Sequence, residues 1–361
     1  MSLLIFAMLG AGLVLLVVGA ELFVRGAARL ATLIGISPLV VGLTVVALGT
    51  SAPEIAVSVQ ASASGQGDLA IGNVIGSNIF NVLFILGLSA LVLPLVVSHQ
   101  LVRLDVPVMI AASALLIVLG LDGWLSILDG GILLTSGAAY VIFLIVSSRR
   151  MGATAQLNPA ESHVPSRKSE VTWLRNAGLI LVGMGMLVIG SRWLVSGAVT
   201  IAEAFGVSQL IIGLTVIAAG TSLPEAATSV IAALRGERDI AVGNVVGSNI
   251  FNIVFVLGLA ALAAPSQISI APAVLRFDLP VMTAVALACL PIFFSGHRID
   301  RWEGALFLGY YFAYTIFLIL AASGHEALPA YSAAMLSFVL PLTALTLLLV
   351  VWRSWRVARE Q

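Results

Sequence analysis

The sequence is short of charge. Only 9% of its 361 residues are Asp, Glu, Lys or Arg, and 60% are hydrophobic. Soluble domains carry roughly 25% charged residues, so a soluble fold is excluded. Mean hydropathy is +1.13. The apolar runs are long and unbroken, which excludes a β-barrel, whose strands read as ~10-residue alternating segments. The fold class is therefore an all-α integral membrane protein. Cysteine is nearly absent: Cys289 stands alone in "TAVALACLPIFF", so no internal disulfide and no cysteine metal cluster can form. The four histidines, His99, His163, His297 and His325, all fall in or beside loops. That placement argues against an intramembrane zinc site or a His-based hydrolase. The formal net charge of +0 implies no nucleic-acid partner. No basic residue precedes the first apolar run, which therefore reads as a transmembrane helix rather than a signal peptide.

A membrane span needs ~20 apolar residues. Eleven stretches qualify, at about 2–24, 37–62, 70–94, 104–121, 126–147, 174–195, 208–233, 241–264, 275–294, 303–322 and 331–352. Residues 148–173 form the only long polar linker, which reads as a mobile connector too short for a folded regulatory domain. With the N-terminus outside, the inner segments hold 15 of the 17 Lys and Arg; only Arg192 and Arg276 fall outside. The positive-inside rule then favours this orientation, with the C-terminus cytoplasmic and the chain in a plasma (inner) membrane.

The chain contains an internal repeat. Residues 42–91 align with residues 213–262 at an offset of 171, with 32 of 50 positions identical. A weaker echo follows, "RLDVPVM" at 103–109 and "RFDLPVM" at 276–282. Residues 1–147 form the first five-helix repeat, 148–173 the cytosolic linker, and 174–322 the second repeat. Residues 323–361 add an eleventh helix and a basic tail. Five spans per repeat is an odd number, so the second copy enters the membrane from the opposite side. Inverted-topology repeats are a hallmark of secondary transporters, whose sites lie near the bilayer midplane at the repeat interface.

Glu54 and Glu225 occupy matching positions, "GTSAPE" and "GTSLPE", and are the only acids deep inside the expected spans. Intramembrane acids are expensive and functional by default. A carboxylate that merely packs against a base is the bland alternative, but no Lys or Arg lies at comparable depth. Thr50, Ser51 and Glu54 fall at i, i+1 and i+4, one face of a helix, and Thr221, Ser222 and Glu225 repeat that face. In the next span Asn73, Ser77 and Asn81 are spaced by four, matched by Asn244, Ser248 and Asn252. Carboxylate, hydroxyl and amide oxygens without sulfur or imidazole suit Na⁺ and Ca²⁺. A Ser/Thr/Asn stripe alone would equally serve as interhelical glue; the two glutamates favour a cation site.

Pro53 and Pro224 each free the carbonyl four residues earlier, at Gly49 and Gly220, with Ala47 and Ala218 on the same segments. Irregular backbone at this depth is tolerated where it lines a cavity. Gly72, Gly76, Gly243 and Gly247 read as sites of close helix approach. Glu21 with Arg25 is an i,i+4 pair; Asp68, Asp105, Asp129, Asp239, Asp278 and Glu303 read as structural or interfacial.

The pair "GTSAPE"/"GNVIGSNIFN" and "GTSLPE"/"GNVVGSNIFN" resembles the two alpha repeats of sodium/calcium exchangers, of prokaryotic type. The resemblance covers nearly all of residues 1–322. It implies ten core helices around a diamond of four cation positions. It implies ligands from Thr50, Ser51, Glu54, Ser77 and Asn81, from Thr221, Ser222, Glu225, Ser248 and Asn252, and carbonyls from Ala47 and Ala218. The Thr-Ser form of the motif, kept twice, favours Na⁺ as coupling ion. The resemblance has one departure: some members, potassium-dependent ones included, carry Asp where this chain has Asn252, and with Asn at both 81 and 252 a potassium requirement is not expected.

The expected function is antiport of Na⁺ against Ca²⁺ by alternating access, with electrogenic Ca²⁺ export. An antiporter of the same fold using H⁺ or another divalent ion is the main alternative, and a cation channel a weaker one. No enzyme motif, cofactor or obligate protein partner is visible; the partners are the two ions and the bilayer.

Overall fold

The computed structural model describes residues 3–155, 169–205, 218–294, 296–344 and 348. The first half comprises α1 (Leu3–Ile34), α2 (Pro38–Thr50), α3 (Ala52–Ala63), α4 (Gly67–Val92), α5 (Leu101–Leu119) and α6 (Ile127–Ala155). The second half comprises α7 (Ser169–Ala204), α8 (Ala218–Thr221), α9 (Leu223–Leu234), α10 (Arg238–Ala263), α11 (Val274–Phe294) and α12 (Arg301–Ser323). A further apolar helix, α13 (Leu328–Ala344), follows.

Among the described residues, eight helices are long and apolar enough to cross a membrane, or nine if the bent pair α2–α3 counts as one span. Eleven separate spans are not resolved. The expected seventh span loses residues 208–217, and the eleventh ends beyond Ala344; both gaps, with linker residues 156–168 and the basic tail 353–361, lie outside the described residues. The first helix also runs ten residues past the expected 24, and α6 and α7 extend into the linker from either side.

Four two-residue strands reveal how the halves are related. Leu95–Val96 (β1) pairs antiparallel with Arg298–Ile299 (β4), and Trp124–Leu125 (β2) pairs with Ile268–Ser269 (β3). Each ribbon joins one strand from each half. Helix α5 runs from β1 to β2, and its repeat mate α11 runs from β3 to β4. At 1.5 Å per residue, the 19 residues of α5 separate its flanking strands by ~28 Å. The ribbons therefore lie at opposite ends of these helices. Because β1 pairs with β4, α5 and α11 run in opposite directions. Two copies of one sequence thus cross the molecule oppositely, as an odd span number per repeat requires. The ribbon bonds obey the same symmetry: Val97 N–H donates to His297 O at 2.8 Å, and Ile270 N–H donates to Gly123 O at 2.8 Å.

The Asn/Ser helices are the centre. The apolar windows of α4 and α10 are 78% and 83% buried, against 22% for α1 and 6% for α12. Outward leucines such as Leu128 and Leu121 face where lipid would lie. Lipid tails are as apolar as leucine, so burial alone does not hold such helices together; small residues that let backbones touch do. Helices α1 and α7 meet this way. A Cβ on Gly19 would stand 2.9 Å from the Gly183 carbonyl oxygen, and one on Gly183 would stand 2.7 Å from the Gly19 oxygen. Gly247 is equally tight against the Leu43 backbone, as expected for a close approach. The segment that would face Gly72 and Gly76 by symmetry lies within the undescribed 206–217.

Two of the acids, Asp105 and Glu303, are buried and take the structural side of the structural-or-interfacial reading. Asp105 is fully buried, accepting hydrogen bonds from Tyr140 Oη at 2.9 Å and Gln100 Nε2 at 3.2 Å. Its mate Asp278 accepts from Tyr314 Oη at 3.0 Å. Glu303 is also buried, bonded to the Asp300 backbone N–H at 2.8 Å in a capping box at the start of α12. Glu21 pairs with Arg25 as expected, at 2.7 Å, and additionally with Arg235 from the end of α9.

Candidate functional site

The motif "GTSAPE" does not form one continuous helix. Helix α2 ends at Thr50, Ser51 takes φ −79°, ψ 6°, and α3 begins at Ala52 with a bend of 47°. Pro53 sits in the first turn of α3, where its missing N–H costs no helical bond. The expected shared helix face is thus a helix end, a hinge residue and a helix start. Thr221, Ser222 and Glu225 repeat this arrangement across α8 and α9, with Ser222 at φ −90°, ψ 10°.

The break turns each glutamate towards the other half. Glu54 and Glu225 are both fully buried. Ser222 Oγ donates to Glu54 Oε1 at 3.0 Å, and Ser51 Oγ donates to Glu225 Oε1 at 3.1 Å. Each carboxylate is therefore held by the serine of the opposite repeat. Thr50 Oγ1 lies 3.1 Å from Asn244 Oδ1, and Thr221 Oγ1 lies 3.3 Å from Asn73 Oδ1. The two asparagines are held in turn: Asn73 Nδ2 donates to Ser58 Oγ at 3.0 Å, and Asn244 Nδ2 to Ser229 Oγ at 2.8 Å. Asn73 and Asn244 thus position the threonines. The Ala47 carbonyl accepts from Ser51 N–H at 3.0 Å and lies 3.3 Å from Thr50 Oγ1; Ala218 opens α8 at the matching position.

Ser77, Asn81, Ser248 and Asn252 are buried on α4 and α10. At Asn81 and Asn252 both helices widen into π-helical turns, Asn81–Leu86 and Asn252–Leu257. Such turns often mark functional sites. Two residues that the motif reading passed over fix these amides. Asn252 Nδ2 donates to Asn78 Oδ1 at 3.1 Å, and Asn81 Nδ2 donates to Asn249 Oδ1 at 3.3 Å. The signal was present, since Asn78 and Asn249 are identical in both copies of "GSNIFN".

What remains unpaired is informative. Burying a polar atom without a partner is costly, and native structures keep few of them. Among the described residues, Glu54 Oε2, Glu225 Oε2, Ser77 Oγ, Ser248 Oγ, Asn81 Oδ1 and Asn252 Oδ1 are buried without a hydrogen-bond partner. They form three symmetry-related pairs of oxygens. The hydroxyls of Ser51 and Ser222 donate to the other oxygen of each carboxylate. Buried oxygen atoms without a protein partner beside two buried carboxylates have the chemistry of hard-cation ligands.

Comparison with known proteins identifies the family. The family described as sodium/calcium exchanger protein matches residues 4–148 and 175–320. The chain belongs to the sodium/calcium exchanger family. Within that family it is 34% identical over 344 residues to the sodium/calcium exchanger MaX1 of Methanosarcina acetivorans, covering 87% of this chain and 98% of the relative. It is 40% identical over 287 residues to the inner membrane protein YrbG of Escherichia coli, covering 78% and 86%. The structure of the sodium-calcium exchanger NCX_Mj superimposes with a TM-score of 0.73 at 32% identity, covering 90% of this chain and 99% of that one. The two matched segments of this exchanger-family chain leave residues 149–174 between them.

Proposed function

We propose that the chain is a secondary antiporter that exchanges Na⁺ for Ca²⁺ at the crossing of its two repeats. The observation that carries this reading is the set of six bare oxygens from Glu54, Ser77, Asn81, Glu225, Ser248 and Asn252. Thr50, Ser51, Thr221 and Ser222 supply hydroxyls beside them, and the segments bearing Ala47 and Ala218 supply carbonyls. Support for the ion pair comes from the relatives: MaX1 is named a sodium/calcium exchanger, and NCX_Mj has been soaked with Na⁺ and with Ca²⁺ or Sr²⁺.

The mechanism follows from charge. Two ionised glutamates give the site −2, which one Ca²⁺ or two Na⁺ neutralise. A bare pair would leave uncompensated charge in low dielectric, at a cost on the order of several kcal/mol per ion. Conformational switching of the bare carrier is disfavoured by that amount, while loaded forms switch. Ca²⁺ then crosses one way only when Na⁺ crosses the other. Near-equivalent halves running in opposite directions make the two open forms related by symmetry. With three Na⁺ per Ca²⁺ the cycle moves net charge, and an inside-negative potential drives Ca²⁺ outward. The excess of basic residues on one set of loops supports an inner face on the side of the C-terminus, in a plasma (inner) membrane.

The test uses Glu54→Gln and Glu225→Gln in Na⁺-loaded membrane vesicles. Each change keeps the shape and removes one charge. Radiocalcium uptake should fall to background in both. Wild-type uptake in either one would remove that carboxylate from the site.

A further inference from the structure

His297 has the backbone of a glycine. Its φ is +51°, and among the described residues it is the only non-glycine with positive φ. Its repeat mate is Gly123, at φ +85°. The equivalence is fixed by the ribbon bonds, since the carbonyls of His297 and Gly123 accept matching 2.8 Å bonds from Val97 and Ile270. One copy of the repeat thus keeps glycine in a conformation that side chains rarely adopt, and the other holds a histidine there. Strain of this kind persists where the surrounding structure and a task sustain it.

The second observation is what that histidine meets. The His297 and His99 ring centroids are 4.0 Å apart, with ring planes inclined at 49°. His99 begins the turn leading into α5, in the first repeat, and His297 precedes β4, in the second. The opposite ribbon has no such pair: the mates of His99 and His297 are Pro272 and Gly123. His297 Nδ1 is shielded and has no hydrogen-bond partner, while His99 is exposed. Nearby charge is mixed, with Arg103 in the following turn and Arg298 paired to Asp300 at 2.9 Å.

We propose that His99 and His297 form a two-imidazole site for a borderline divalent transition-metal ion of the zinc class, bridging the two repeats at the β1–β4 ribbon. Neutral imidazole nitrogens select such ions, whereas the oxygens of the central site suit Na⁺ and Ca²⁺. Water completes the coordination on the exposed His99 side. A bound ion cross-links residues from opposite halves at one end of the molecule, leaving the β2–β3 end without an equivalent tie.

The test titrates Zn²⁺ into the purified full-length protein by calorimetry, with saturating Na⁺ present to cover the oxygen site. Wild type should bind one Zn²⁺ and gain thermal stability from it. His99→Ala and His297→Gly should each weaken binding at least tenfold and abolish the thermal gain. His297→Gly restores the residue its repeat mate carries at this φ, so it folds. Zn²⁺ binding that survives in both variants, or is lost instead in Glu54→Gln and Glu225→Gln, overturns the proposal. So does a wild type that binds no Zn²⁺. None of these outcomes depends on whether Na⁺ drives Ca²⁺ transport.

Discussion

Ser222 and Glu54 lie 168 positions apart and meet through a 3.0 Å hydrogen bond at the centre of the molecule. The same bond, Ser51 to Glu225 at 3.1 Å, closes the arrangement from the other half. Neither carboxylate is held by its own repeat's serine. The site exists only where the two repeats cross.

Removing either hydroxyl should weaken ion binding by a similar amount. A hydrogen bond to a charged group contributes about 1.5–3 kcal/mol. Ser51→Ala and Ser222→Ala should each raise the Ca²⁺ concentration for half-maximal uptake on the order of 10- to 100-fold. Concentration-dependent flux in vesicles measures this.

Tyr140→Phe should destabilise the fold without touching the site. It strips the fully buried Asp105 of its 2.9 Å donor, leaving only Gln100. The cost of leaving a buried acceptor short of a partner is about 1–3 kcal/mol. A lower Tm in detergent with an unchanged Ca²⁺ half-saturation is the expected pattern.

Gly183→Val should separate α1 from α7. Even a Cβ at Gly183 would stand 2.7 Å from the Gly19 carbonyl oxygen and 2.7 Å from the Phe23 backbone nitrogen, both main chain that cannot swing aside. Overpacking of this kind costs typically about 1–3 kcal/mol. Reduced Tm and reduced flux should appear together, whereas Gly185→Ala, with open space around its Cβ position, should leave both unchanged.

Acid should loosen the β1–β4 ribbon. Burial, then the neighbouring His99 and Arg103, hold the His297 imidazole below its ordinary 6.5. The unfolded chain therefore takes up this proton first. The native state keeps its full stability from this group above pH 6.5 and loses it as pH falls below that value towards the folded pKa. Tm measured from pH 7.5 to 5 should drop more in wild type than in His297→Gly.

Much of this was legible in the sequence, for physical reasons. Charge is so scarce that two acids inside apolar runs stand out, and a repeat with 32 of 50 identities marks their partners. Odd span number per copy implied inversion, which the pairing of β1 with β4 expresses. Other features were hidden because they depend on contacts between distant segments. No spacing rule says that Ser51 serves Glu225 rather than Glu54. Proline predicted a kink, but the hinge falls at Ser51, because Pro53 is accommodated in a first turn. The π-helical turns at Asn81 and Asn252 have no residue signature of their own. Asp105 read no more narrowly than structural or interfacial because its partner Tyr140 is 35 residues away, in the next helix.

The most direct test of the central claim is Ca²⁺ uptake by vesicles containing wild-type protein, loaded with Na⁺ or with choline. Uptake should require internal Na⁺, collapse when choline replaces it, and ignore an imposed pH gradient. Ca²⁺ flux that persists in choline, or follows the pH gradient, would contradict Na⁺-coupled exchange.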